Sequence, residues 1–111
     1  MSFERACALS DLTQSTATSL TLSGQDVAIA LQGEEVFAIE DQCSHALFPL
    51  SDGEVADCQI ECSLHGSTFD LRTGKPTVFP ATEPVATFAC EIRGDDVYVD
   101  PAQSLNGVTP Q

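Results

Sequence analysis

Two short segments of the chain each carry one cysteine and one histidine, and this pairing restricts the possible folds more than any other feature. The first segment is Cys43-Ser44-His45, and the second, after a gap of sixteen residues, is Cys62-Ser63-Leu64-His65. Together they use both histidines of the chain. A soft thiolate and an imidazole that occur together twice are typical of a transition-metal site. The fold must therefore bring two segments to one metal centre.

The way in which the two segments mix their ligands indicates the metal. A zinc finger takes two cysteines from one knuckle and two histidines from the other, whereas each segment here offers one of each. This pattern suits a two-iron cluster in which Cys43 and Cys62 bind one iron and His45 and His65 bind the other. The sequence therefore predicts one [2Fe–2S] cluster on these four residues. A mononuclear zinc site on the same ligands, or ordinary burial of the four side chains, is the alternative.

Short β-strands dominate the predicted secondary structure. Runs rich in Val, Ile, Thr and Phe alternate with Gly, Asp and Asn turns, and helical periodicity is hard to find. Strands are predicted at 16–22, 27–31, 36–39, 84–92 and 97–99. The pattern indicates an all-β fold, a sandwich or barrel of short antiparallel strands, with a cluster-binding part built from loops at about 41–80. We expect one domain over residues 1–100 and a loose C-terminal tail over residues 101–111.

The charge of the chain excludes some partners and favours others. Seventeen acidic residues and four basic ones give a formal net charge of −13. A nucleic-acid backbone and an anionic membrane surface would both repel such a chain. The acidity serves solubility, and it also suits electrostatic steering toward a basic patch on a partner protein.

Cysteine usage and hydropathy predict a cytoplasmic protein. The N-terminus lacks the apolar core of a signal peptide, and no stretch approaches the length of a membrane span. Five cysteines are an odd number, which argues against a disulfide framework. Cys7 and Cys90 are predicted to be small buried hydrophobic residues, and Cys58 is expected to have no ligand role.

Three segments carry a resemblance to a known family: Cys43-Ser-His, Leu50-Ser-Asp-Gly-Glu54 and the run from Ile60 to Lys75. They are similar to those of Rieske-type ferredoxins, the electron carriers of bacterial ring-hydroxylating dioxygenase systems that act on compounds such as biphenyl, toluene and carbazole. The similarity extends from about residue 3 to residue 100. It implies that cluster-binding loops cap a β-sandwich base. It also implies that Cys43 and Cys62 bind the buried iron and that His45 and His65 bind the outer one, near the surface where partners dock.

Departures from the respiratory branch of this family predict a low reduction potential. That branch has an additional cysteine in each loop, joined as a disulfide, and the corresponding residues here are Phe48 and Leu64. A respiratory tyrosine near a ligand sulfur is replaced by Phe69. Fewer hydrogen bonds to sulfur lower the potential, whereas Ser67 matches a serine that bonds a bridging sulfide and acts in the opposite direction. The expected potential is about −150 mV.

The expected function is one-electron transfer from an NAD(P)H-dependent ferredoxin reductase to a terminal oxygenase. An oxygenase needs a mononuclear iron, usually on two histidines and a carboxylate, and the cluster uses both histidines. The chain also lacks a Gly-rich dinucleotide fingerprint. We therefore expect the chain to have no catalytic site of its own. A monomer is the default expectation, since the sequence does not reveal the oligomeric state. The alternatives are a housekeeping Rieske carrier for iron–sulfur assembly or another redox enzyme, and a zinc-stabilised interaction module.

Overall fold

The computed structural model describes residues 3–14, 16–42, 49–61, 67–77 and 84–108, and these contain nine β-strands and two short 3-10 helices. The strands are β1 (Glu4–Ala8), β2 (Ala17–Leu22), β3 (Gln25–Gln32), β4 (Glu35–Glu40), β5 (Val55–Ala56), β6 (Gln59–Glu61), β7 (Thr68–Asp70), β8 (Thr87–Arg93) and β9 (Asp96–Ser104). The 3-10 helices are Leu9–Asp11 and Leu50–Asp52. The predicted all-β fold is confirmed.

A six-stranded antiparallel sheet forms the base of the molecule. Its strand order is β1-β9-β8-β4-β3-β2. The two edge strands approach each other, and the Ser23 hydroxyl at the end of β2 donates a hydrogen bond to the Glu4 carboxylate of β1. Ser23 and Gly24 join β2 to β3 with φ of 50° and 80°, as in a two-residue turn whose twist matches that of the strands. The sheet is therefore nearly closed.

A second sheet of three short strands, in the order β5-β6-β7, stands beside the first. Asp57 and Cys58 join β5 to β6, again with positive φ of 53° and 61°. The backbone N–H of Cys58 donates to Gln32 Oε1 at 2.9 Å, which links this turn to the end of β3. Sequence reasoning assigned the region to loops, so the small sheet is an addition to the predicted fold.

β3 of the large sheet is buried on both faces. Val27 and Ile29 pack inside the nearly closed sheet, whereas Ala28 and Ala30 pack against the small sheet. This division follows from the period of two in a β-strand. The layer between the sheets also contains fully buried large side chains, each of which contributes about 1.5–3 kcal/mol when removed from water. They are Leu50, Ile60, Phe69 and Leu71.

The C-terminal part of the chain differs from the expected loose tail. β9 continues to Ser104, and Pro101 lies in the irregular stretch between two β8–β9 pairs, where a proline is tolerated. Beyond the strand, Asn106 Nδ2 donates to the carbonyl oxygens of Thr73 and Val85, both at 2.8 Å. Residues 101–108 are thus attached to both sheets. The polar composition of this segment concealed these contacts.

Candidate metal centre

The predicted ligands Cys43, His45, Cys62 and His65 lie outside the described residues, as do Phe48 and Leu64. The structure therefore characterises the centre through the residues on either side of the two ligand segments.

The residues that flank the second ligand segment are neighbours in the small sheet. Glu61 of β6 pairs with Thr68 of β7 in antiparallel register. Ser67, between the segment and β7, is fully buried. The chain therefore leaves the small sheet at Glu61 and returns to it one strand away.

The residues that flank the first ligand segment are joined by the Asp41 side chain. Its Oδ1 accepts the backbone N–H of Ser51 at 2.7 Å, and its Oδ2 accepts the Ser51 hydroxyl at 2.8 Å. The same Oδ2 accepts the Ser19 hydroxyl of β2 at 2.7 Å. One buried carboxylate thus connects the end of β4 to the 3-10 helix that follows the segment.

The flanks of the two segments also contact each other. The backbone N–H of Glu61 donates to the Glu54 carbonyl at 2.9 Å. Gly53 lies so close to Glu61 that a Cβ on it would overlap the Glu61 carbonyl oxygen. Thr77 also contacts this region, since its backbone N–H donates to the Thr68 carbonyl at 2.7 Å. The residues that flank both Cys/His segments therefore meet at one edge of the small sheet, the edge at which β6 ends and β7 begins.

This edge and the chemistry of the donor set fit a [2Fe–2S] cluster. Two thiolates and two imidazoles are the ligands of a cluster whose irons are bound unequally, and such a cluster supplies one-electron oxidation and reduction when bound. The residues next to this edge pack into an apolar core, in which Leu50, Ile60 and Phe69 are each fully buried. Phe69 in this core has no hydroxyl, and its effect on the potential of the cluster stays a prediction.

The other three cysteines are free and are structural in character. Cys7 is buried, as predicted. Cys90 is half-buried, its thiol donates to the Val36 carbonyl at 3.3 Å, and burial raises its pKa to about 11. Burial also raises the pKa of the Cys58 thiol. A raised pKa disfavours the thiolate that metal binding needs. Within the described ranges, moreover, no group of three or more His, Cys, Asp or Glu residues could hold a metal ion.

Sequence reasoning missed two carboxylates that end β4. Glu40 and Asp41 are 3% and 8% exposed, although acidic side chains are rarely buried without partners. An acidic pair that directly follows an apolar strand and precedes Cys43 by two residues was the available signal.

No helix in the described part of the chain is long and apolar enough to cross a membrane.

The residues that flank the two Cys/His segments meet at one edge of an all-β scaffold, and comparison with known proteins identifies the family. The model of the Rieske [2Fe–2S] domain matches residues 2–89. The ferredoxin component of biphenyl 2,3-dioxygenase from Rhodococcus jostii (strain RHA1) is 37% identical over 100 residues, covering 90% of this chain and 94% of that protein.

Solved structures give the same result. The ferredoxin of carbazole 1,9a-dioxygenase from Nocardioides aromaticivorans IC177 superposes with a TM-score of 0.87 at 33% identity, covering 91% of this chain and 99% of that one. A chain from a complex of reduced oxygenase and oxidized ferredoxin in carbazole 1,9a-dioxygenase gives 0.82 at 34% identity, covering 87% and 91%. The chain belongs to the Rieske [2Fe–2S] domain family. It is an electron carrier with one Rieske-type [2Fe–2S] cluster.

Proposed function

We propose that this protein carries single electrons from an NAD(P)H-dependent ferredoxin reductase to the terminal oxygenase of an aromatic-ring dioxygenase system. The observation that carries the proposal is the similarity to dioxygenase ferredoxins over nine-tenths of the chain. The relative found in a complex with its oxygenase supports the second half of the transfer. The proposal includes a cytoplasmic monomer without a catalytic site, whose cluster domain extends beyond the predicted residue 100 to the end of β9 at Ser104.

The proposed ligands are Cys43 and Cys62 for one iron and His45 and His65 for the other. The convergence of the flanking residues at Glu61 supports this assignment. Electron transfer needs no bond-making side chain, so the chain's own part is to hold the ligands and to exclude water. Leu50, Ile60 and Phe69 are fully buried in the core next to the flanking residues, which suits a site that excludes water.

Anaerobic purification followed by EPR spectroscopy of the dithionite-reduced protein tests this function. We expect about two irons and two acid-labile sulfides per chain, a Rieske-type signal, and a midpoint near −150 mV in a potentiometric titration. The expected potential is low because Phe69 offers no hydroxyl to a ligand sulfur. A colourless, zinc-containing protein would contradict the function, and a strongly positive midpoint would contradict the predicted potential.

The exposed face of the small sheet is the proposed contact for both partners. Three exposed acidic residues line a shallow cleft of about 160 Å³ on this face: Glu54, Asp57 and Glu61. Exposed Asp52 precedes Glu54 by two residues. The ion pairs found among the described residues involve other acids, namely Asp96, Glu35 and Glu91. This face is therefore negative, and it suits a basic surface on the reductase and the oxygenase.

Neutralising this face should slow reduction by the partner reductase. For Glu54→Gln and Asp57→Asn together we expect the second-order rate constant, measured by stopped flow, to fall about tenfold at low ionic strength, because long-range attraction steers association. At 0.5 M salt the difference should nearly vanish, because screening shortens the range of exposed charges to a few ångströms. Asp95→Asn, in the turn at the far end of β8, is the matched control and should change the rate little. Equal losses at both salt concentrations would refute steering.

A further inference from the structure

Asp41 combines burial, three hydrogen bonds and nearness to a proposed ligand, and the dioxygenase-ferredoxin function does not itself account for it. We propose that Asp41 is a positioning residue for the first ligand segment and that its buried charge lowers the reduction potential of the cluster. This inference rests on the proposed binding of the cluster by Cys43 and His45.

The geometry makes Asp41 a clamp across the first ligand segment. The carboxylate stands at the end of β4 and accepts two hydrogen bonds from Ser51, which lies ten residues further along the chain. Because both carboxylate oxygens are used, the side chain fixes its own orientation as well as the position of the 3-10 helix Leu50–Asp52. The Ser19 hydroxyl adds a third donor from β2. Asp41 and Ser51, which lie on either side of the ligand segment, therefore cannot separate while these bonds persist.

Chain connectivity keeps this carboxylate close to the cluster. Two residues span at most about 7 Å, so the Cα atoms of Asp41 and Cys43 cannot be further apart than that. Asp41 is 8% exposed, and a buried charge is screened less than an exposed one. Since reduction adds an electron to the cluster, a fixed negative charge nearby disfavours the reduced state. Net charge and hydrogen bonding are recognised determinants of iron–sulfur potentials.

Glu40, the last residue of β4, fixes the end of this strand to a different neighbour, Ala86. Its Oε1 accepts the backbone N–H of Ala86 at 2.9 Å, and its own N–H donates to the Ala86 carbonyl at 2.9 Å. The end of β4 is thus fixed to the 84–86 segment independently of Asp41. A substitution of Asp41 should therefore change the local charge and the clamp without releasing the strand.

Protein-film voltammetry of the holoprotein tests the inference through Asp41→Asn and its control Asp52→Asn. Both substitutions remove one negative charge, but Asp52 is exposed and lies on the same 3-10 helix that Asp41 clamps. We expect Asp41→Asn to favour reduction by about tenfold, which is ~59 mV for one electron. Asp52→Asn should change the midpoint much less. The EPR g values of the reduced cluster should change only in Asp41→Asn, because an amide cannot accept all three hydrogen bonds.

An equal shift in both variants, or none in Asp41→Asn, would overturn the inference. If Asp41→Asn retains no cluster, Ser51→Ala decides, because it removes one hydroxyl donor and leaves the Ser51 N–H in place. The Asp41 charge is then less compensated, so a lowered midpoint supports the inference and an unchanged one overturns it. A wild-type protein without a Rieske signal would refute the proposed function instead, which keeps the two failures distinct.

Discussion

Replacing Cys62 with serine is expected to reduce the cluster content of the purified protein to about a few per cent of wild type, because a hydroxyl is a poor substitute for the soft thiolate that iron–sulfur clusters need. The loss should remove the visible absorption and the EPR signal together. Iron and acid-labile sulfide, counted per chain after anaerobic purification, provide the measurement. Without Cys62 one iron would keep a single protein ligand, so substantial occupancy is not expected.

Cys58→Ser is the matched control for this experiment. Cys58 lies four residues before Cys62, in the turn between β5 and β6, and is only partly buried. Its backbone is what the fold uses, since its N–H donates to Gln32 and its carbonyl accepts the Leu71 N–H at 2.9 Å. The serine variant should therefore keep the full cluster. Loss of the cluster in Cys58→Ser, or its retention in Cys62→Ser, would contradict the ligand assignment.

The sequence predicted five of the six strands of the large sheet, because their side chains alternate or are continuously apolar. β3 is the clearest case, since Val27–Leu31 is apolar throughout and the strand is buried on both faces. β1 escaped prediction, because its residues Glu4, Arg5 and Cys7 mix charge with apolar character. Its position is set by pairing with β9, from Glu4 opposite Val99 to Ala8 opposite Asp96. Such long-range pairing leaves little trace in a local pattern.

The small sheet could not be predicted for a related reason. β5 has two residues and β6 and β7 have three each, so none is long enough to show a period. Its turn residues, Asp57 and Cys58, lack the glycine that usually marks a turn with positive φ. What stabilises these strands is the burial of Val55, Ile60 and Phe69 against the large sheet. This packing is tertiary and therefore invisible to local reasoning.

For the candidate site, the sequence predicts the ligands but not the residues that position them. The four ligands follow from residue types and spacing alone, because Cys and His in two mixed pairs are rare without a metal, and their assignment stays a prediction. What holds them could not be inferred. The Asp41 clamp requires Ser51 and Ser19, which come from different elements and carry no recognisable motif. Groups that position ligands are chosen by proximity in the fold rather than by spacing in the chain.

Gly53→Ala should be the most destabilising single-methyl change near the site. The backbone of Gly53 is extended, with φ of −88° and ψ of 176°, so the alanine conformation itself is allowed. The added Cβ would nevertheless overlap the Glu61 carbonyl oxygen, which belongs to β6 and cannot move without breaking its pairing with Thr68. We expect the free energy of unfolding, measured by urea denaturation, to fall by about 3 kcal/mol or more.

The same substitution should also lower cluster retention, because it pushes apart the flanks of the two ligand segments. Gly94→Ala is the control: Gly94 has φ of 62° and no atom within 4 Å of an added Cβ, so only backbone strain of about 1 kcal/mol is expected, with the cluster unaffected. If both variants lost the same stability and kept the same iron content, close contact between residues 53 and 61 would not matter to the site. A selective loss of iron in Gly53→Ala would show that the cluster depends on how tightly these two backbones meet.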